Sequence, residues 1–285
     1  MAAHLLIAPH VLIVGGFLTE PFNYWPMRRR ILARGAASVS IAPLHVPDWL
    51  AAGLVGFGPM LTRLGGAVRR TQAATGGRPL LAVAHSGGGI VTRLAMSEAR
   101  FDGRRSAVAG SVGALVTLGT PHGLAGGSVR SSHSGILAAR FLDRESPGCH
   151  FAPTTAYLTV GSDFVRPGHL QDRTGREMRI RPLTWWDRLL SHGFDSIVGP
   201  LPPEGGDGIV SVAAAHLPGA ERLTFHDVRH GHIGGPWYGD DEIIDRWWPR
   251  AIELWHEALA ARATRDAAAG ASSAAARLDR SGQVQ

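Results

Sequence analysis

Ser86 stands where an apolar run, Pro79-Leu80-Leu81-Ala82-Val83, passes through Ala84-His85 into Ser86-Gly87-Gly88 and a helix is expected to begin. A strand that turns so abruptly into a helix holds its turn residue in a strained backbone conformation and lifts that side chain above the sheet. It also needs small residues two positions away on either side. Ala84 and Gly88 meet that need. A serine hydroxyl alone is a weak nucleophile near neutral pH, so the turn calls for an imidazole base and a carboxylate to orient it. The bland alternative is a glycine-rich turn that only packs, or that cradles a phosphate. A phosphate cradle requires the order Gly-x-Gly-x-x-Gly, which His85-Ser86-Gly87-Gly88-Gly89-Ile90 does not supply.

Where a nucleophile sits on such a turn, the acid and then the histidine follow in chain order. Residues 223–228 read as the last strand, and His230-Gly231 opens the loop before the final helix, which makes His230 the favoured base and His232 the alternative. For the acid, Asp207 lies in a turn between Gly206 and Gly208, just ahead of the apolar Ile209-Val210; Asp163, after Gly161-Ser162, is its competitor. Flanking glycines allow the Asp207 turn to approach an imidazole closely, and its short distance from the last strand keeps it near the histidine loop. His85 faces a different way from Ser86 on the strand end and reads as a structural neighbour. His122 reads as a loop or pocket-wall residue. With 14 histidines a metal site is worth testing, but neither His-Glu-x-x-His nor paired cysteines occur, and no metal or cofactor is expected.

The elements that must position these side chains alternate in the manner of a mostly parallel sheet with crossover helices. Apolar strands are expected at 11–14, 37–42, 80–84, 112–118, 157–160 and 223–228. Helices are expected at 24–34, 58–74, after Ser86, and at 240–261, where Ile244, Trp248, Ile252, Trp255 and Leu259 recur at helical spacing. Pro249 is expected to kink that last helix. Two stretches break the alternation, about 123–153 and 163–206. Both follow strand ends on the face where open α/β sheets hold their sites, so both read as cap or lid, the second carrying Trp185, Trp186 and Leu189. Residues 1–263 form one expected catalytic domain. From 264 to 285 the composition falls mostly to Ala, Ser, Arg and Gly, the signature of a disordered or frayed tail.

The chain has 285 residues, 45% of them hydrophobic and 18% charged, enough for one large core. It carries a formal charge of +6, yet contains no lysine: all 29 basic side chains are arginines. The densest basic run, Arg28-Arg29-Arg30, lacks interleaved aromatics and reads as a solvated helix face, so no nucleic-acid partner is expected. Cys149 is the single cysteine, which excludes an internal disulfide framework. No apolar run reaches the ~20 residues of a membrane helix. The opening residues read as a strand without a basic leader, and a soluble, cytoplasmic protein is expected.

Several strings in this order resemble the α/β-hydrolase superfamily, and more narrowly bacterial and plant lipase-like hydrolases related to the GPI inositol deacylases. They are Ala84-His85-Ser86-Gly87-Gly88, Thr117-Leu118-Gly119-Thr120-Pro121-His122, Asp207-Gly208-Ile209-Val210 with Ala215-His216-Leu217-Pro218-Gly219-Ala220, and Val228-Arg229-His230 followed by Gly235-Pro236-Trp237-Tyr238-Gly239. The resemblance spans roughly residues 8 to 262. Ala84 stands where that family usually has glycine, Ser211 where a proline often stands, and Gly231 where serine is frequent.

The resemblance implies an α/β-hydrolase fold and acyl transfer at Ser86, with His230 as base and Asp207 as orienting acid. Main-chain amides of Phe17 and Gly87 would form the oxyanion hole. The substrate implied is an uncharged, moderately hydrophobic ester. An acyl-serine enzyme that cyclises, transfers the acyl group or cleaves a thioester is a second reading, and a non-catalytic binding scaffold a third.

Overall fold

The computed structural model describes residues 7–123, 134–166, 169–170, 204–232 and 235–281. Among them, six parallel strands form the central sheet: β1 (His10–Val14), β2 (Ser38–Ile41), β3 (Leu80–His85), β4 (Val112–Leu118), β5 (Ala156–Ser162) and β6 (Glu221–Phe225). They lie in the order β2-β1-β3-β4-β5-β6. Every residue of β3 and β4 is buried, the pattern of interior parallel strands covered on both faces. Edge strand β6 alternates between half-buried and exposed positions up to Phe225.

Seven helices accompany the sheet in the described residues: α1 (Trp25–Ala33), α2 (Val46–Val55), α3 (Gly58–Ala74), α4 (Gly87–Met96), α5 (Ser134–Glu145), the single turn α6 (Val212–Ala215) and α7 (Asp241–Ser281). Alternate strand residues point to opposite faces. Leu12, Val14, Ala82, Ala84 and Leu115 meet Trp49, Leu61, Leu64, Val91, Leu94 and Leu142 from α2 to α5. Val11, Ile13, Leu81, Val83 and Val116 meet Met27 and Ile31 of α1 and Ile244, Trp247, Trp248 and Trp255 of α7. The tryptophans expected to pack against the sheet do so.

Four expectations change. Helix α2 was not expected; Pro47 sits in its first turn, the Asp48 carboxylate accepts from the His45 N–H at 2.8 Å, and Gly56, at φ 81°, ends it. Part of the first insertion, about 123–153, is core rather than lid, because α5 buries Ile136, Ala138, Ala139, Phe141 and Leu142. A parallel strand pair needs a crossover of this kind, and α5 supplies it between β4 and β5. The tail read as disordered is helical through Ser281, and α7 also runs unbroken through Pro249. Alanine is the strongest helix former, and the packed half of α7 already provides the nucleus that an isolated segment would lack. Most of the second insertion, with Trp185, Trp186 and Leu189, lies outside the described residues.

Strand order reverses between β1 and β3, since the chain builds outward to β2 on one side and to β4, β5 and β6 on the other. Such a reversal opens a crevice at the C-terminal ends of the two strands. Gly15-Gly16-Phe17 leaves β1 there, and Ser86 leaves β3 beside it.

Candidate active site

Ser86 has φ 52° and ψ −132°, a backbone conformation rarely adopted by a residue with a side chain. Its surroundings hold it there. The Ser86 N–H donates to the Leu118 carbonyl at 2.9 Å, and the Thr120 hydroxyl donates to the Ser86 carbonyl, also at 2.9 Å. The strand and helix pass closely because their neighbours lack side chains. A Cβ on Gly88 would sit 2.5 Å from the carbonyl oxygens of both Val14 and Gly15, and one on Gly16 would sit 2.8 Å from Ser86 Cβ.

The structure brings the hydroxyl at 86 to the imidazole at 230 and the carboxylate at 207. His230 Nδ1 lies 2.8 Å from Asp207 Oδ2, and His230 Nε2 lies 2.9 Å from Ser86 Oγ. Because a carboxylate only accepts, Nδ1 carries the hydrogen, and Nε2 is left to accept from the serine hydroxyl. The His230 N–H also donates to the Asp207 carbonyl at 2.9 Å, so backbone as well as side chain fixes the pair.

Asp207 is 2% exposed and accepts from four donors: His230 Nδ1 and the Tyr238 hydroxyl at Oδ2, and the amides of Ile209 and Val210 at Oδ1. Burial pushes its carboxyl up, but the neighbouring His230 and these amide donors outweigh burial and leave it below the usual carboxylate value. Burial, then the Asp207 charge, raises the Tyr238 phenol well above its ordinary value, so Tyr238 remains a donor.

The other candidates have different partners. Asp163 Oδ1 lies 2.7 Å from His226 Nδ1, and His232 is exposed with its ring centre 6.0 Å from that of Trp237. His122 lies in the loop that leaves β4 and is buried there. It is 2% exposed, accepts from Arg93 at Nδ1 (3.4 Å) and donates from Nε2 to Thr117 (2.9 Å). Burial, reinforced by Arg93, holds its pKa well below the ordinary value and keeps it neutral. The loop after β1 reaches the elbow: a Cβ on Gly87 would sit 3.6 Å from the Phe17 amide nitrogen. Gly87 also opens α4, whose N-terminus favours an anion.

Two contributors escaped the sequence reading. Gly119, at φ 57°, leaves room for the site, since a Cβ there would lie 2.6 Å from Asp207 Oδ2 and 3.2 Å from His230 Nδ1. Its place in the Thr-Leu-Gly-Thr-Pro-His string was the available signal. Tyr238 was noted within Gly-Pro-Trp-Tyr-Gly, but nothing in that string says that its hydroxyl meets Asp207. Among the described residues, no group of three or more His, Cys, Asp or Glu side chains is arranged to hold a metal ion, and no helix is long and apolar enough to cross a membrane.

The chain is similar in structure to the lipase BlEst2 of Bacillus licheniformis. In its mature form the match covers 86% of this chain and 92% of that one, at 18% identity and a TM-score of 0.54. Its propeptide form matches over 86% of this chain at 18% identity and a TM-score of 0.55, and this chain spans 50% of that longer form. Phospholipase PlaB from Legionella pneumophila matches over 87% of this chain and 59% of its own, at 14% identity and a TM-score of 0.51. No protein-family model and no curated protein matches the sequence. The fold is that of the α/β-hydrolases.

Proposed function

We propose that this chain is a serine hydrolase that cleaves a carboxylic ester through an acyl-serine intermediate. The observation that carries the reading is the unbroken line from Ser86 Oγ to His230 Nε2 at 2.9 Å and from His230 Nδ1 to Asp207 Oδ2 at 2.8 Å, built on a serine at φ 52°. His230 Nε2 takes the Ser86 proton as Oγ bonds to the acyl carbon, and the carbonyl electron pair moves onto oxygen. Amides of Phe17 and Gly87 receive that charge; losing one such donor typically costs about 10²–10³ in turnover. The imidazolium, stabilised by Asp207, then gives its Nε2 proton to the leaving alkoxide as the ester C–O bond breaks. Water repeats the sequence to release the acid and restore Ser86. The reaction proposed needs no metal or cofactor.

A small uncharged ester or lipid-like acyl compound is the proposed substrate class, in keeping with the lipase and phospholipase among the structural neighbours. A fluorophosphonate probe tests the nucleophile. We expect one covalent adduct, mapped to Ser86 and abolished by Ser86→Ala. Folded wild type that resists labelling would favour a binding scaffold instead. Nitrophenyl esters of short and long acyl chains test the chemistry: release is expected from at least part of that series, and labelling without release from any of them would point to acyl transfer to another acceptor.

A further inference from the structure

The strand that delivers Ser86 also delivers an imidazole that the reaction above does not use. His85 is 5% exposed, and its ring centre is 4.9 Å from that of His230. His85 Nε2 lies 2.8 Å from the His230 carbonyl oxygen, which can only accept, so Nε2 bears the hydrogen and Nδ1 offers a lone pair. That lone pair accepts from the Tyr24 hydroxyl at 2.9 Å, and the Tyr24 oxygen accepts in turn from the Gly16 N–H at 2.9 Å. A single proton order satisfies every link: Gly16 N–H to Tyr24, Tyr24 O–H to His85, His85 N–H to the His230 carbonyl.

The ends of this line are informative. Gly16 immediately precedes Phe17, whose amide belongs to one loop of the site, and His230 is the base on another. Neither loop is bonded to the other by a strand pairing. Gly15 and Gly16 make the approach possible: a Cβ on Gly15 would lie 2.6 Å from Tyr24 Cε2, and one on Gly16 would lie 3.2 Å from His85 Nδ1.

We propose that Tyr24 and His85 are positioning residues, a neutral phenol–imidazole strut that fixes the loop carrying the Phe17 amide against the backbone of His230; this rests on the serine-hydrolase reading. The side-chain types suit the task. An arginine or lysine would place a second cation beside the imidazolium that forms at His230, and a carboxylate would compete with Asp207 for it. Burial, followed by the charge of His230, lowers His85 to about 3, so it stays neutral while its neighbour is protonated. Its preference for one tautomer is set by a backbone carbonyl, which does not titrate.

The test uses the full chain with a nitrophenyl ester and the fluorophosphonate probe, on wild type, His85→Phe, His85→Gln and Tyr24→Phe. His85→Phe and Tyr24→Phe should each lower kcat and labelling rate about 10- to 100-fold, the scale of a slightly misplaced reacting group. KM should stay within about twofold, because the strut touches no substrate. Glutamine can donate to the His230 carbonyl and accept from Tyr24, so His85→Gln should recover most of the rate, which a space-filling role would not allow. In wild type, nitrogen-15 spectra should show His85 as the neutral Nε2–H tautomer from about pH 5 to 8.

A folded His85→Phe or Tyr24→Phe with kcat near wild type, a glutamine variant no better than phenylalanine, or a His85 that titrates in that range would overturn the strut. If His85→Phe does not fold, Tyr24→Phe and the tautomer decide. Wild type that neither labels nor releases nitrophenol would instead sink the hydrolase reading, and the positioning role with it.

Discussion

Asp207 concentrates four hydrogen bonds on one buried carboxylate, so its charge supports both the fold and the histidine it orients. Asp207→Asn keeps the shape but presents an amide that can no longer stabilise imidazolium or enforce its tautomer; turnover should drop about 10⁴-fold, measured with the nitrophenyl ester that wild type prefers. The same variant has a pH signature. A carboxyl depressed in the folded state contributes stability above its unfolded value of about 3.9, and that contribution disappears as pH falls through the lower folded value. Wild type should therefore lose unfolding free energy in urea below about pH 4 more steeply than Asp207→Asn, while equal slopes would show that the carboxylate is not held down. The meeting of the Ser86, Asp207 and His230 side chains was legible because chain order and flanking glycines constrain it. The hydroxyls around them were not, since Tyr238, which meets Asp207, and Tyr24, which meets His85, arrive through folding of distant segments, and no spacing encodes that meeting.

At the scale of elements, the site depends on where backbone comes close. Gly119 ends β4 at φ 57° and faces the carboxylate, the imidazole and Tyr238 at once. Gly119→Ala must displace one of them, because its Cβ would lie 2.6 Å from Asp207 Oδ2 and the left-handed backbone itself resists a side chain. We expect destabilisation of about 1–3 kcal/mol by urea titration, together with a kcat loss larger than that stability change explains in the folded fraction. Full activity in a folded Gly119→Ala would show that the loop yields without disturbing the line from Ser86 through His230 to Asp207. Central strands were readable as apolar runs because both their faces are buried. Edge strand β6 spans 221–225 rather than 223–228, since its exposed positions carry Arg222 and Thr224 and it opens on the half-buried Glu221 rather than on an apolar run. Helix α5 reads as lid in the sequence because the glycine- and serine-rich stretch before it hides its apolar spacing.

Across the whole molecule, α7 joins two different physical regimes in one helix. Its first half is held by Trp247 and Trp255, both fully buried, with Trp255 Nε1–H donating to the Pro79 carbonyl at 3.1 Å. Arg262 closes that half by donating to the carbonyls of Thr154, Gly110, Ala109 and Val112, which ties the helix to the chain entering β4 and β5. Residues 263–270 are exposed, so the helix there rests on alanine propensity and on continuity with the packed turns. Composition alone suggested disorder because it counts missing apolar surface and ignores a nucleus supplied from outside the segment. The division predicts how truncation behaves. Removing residues 264–285 should leave the thermal midpoint and the rate of nitrophenyl ester release by the rest unchanged within error, whereas Trp255→Ala in the full chain should cost about 3–5 kcal/mol, the range for emptying a large aromatic site. Loss of cooperative unfolding on truncation would show that the exposed turns carry stability that their lack of burial denies them.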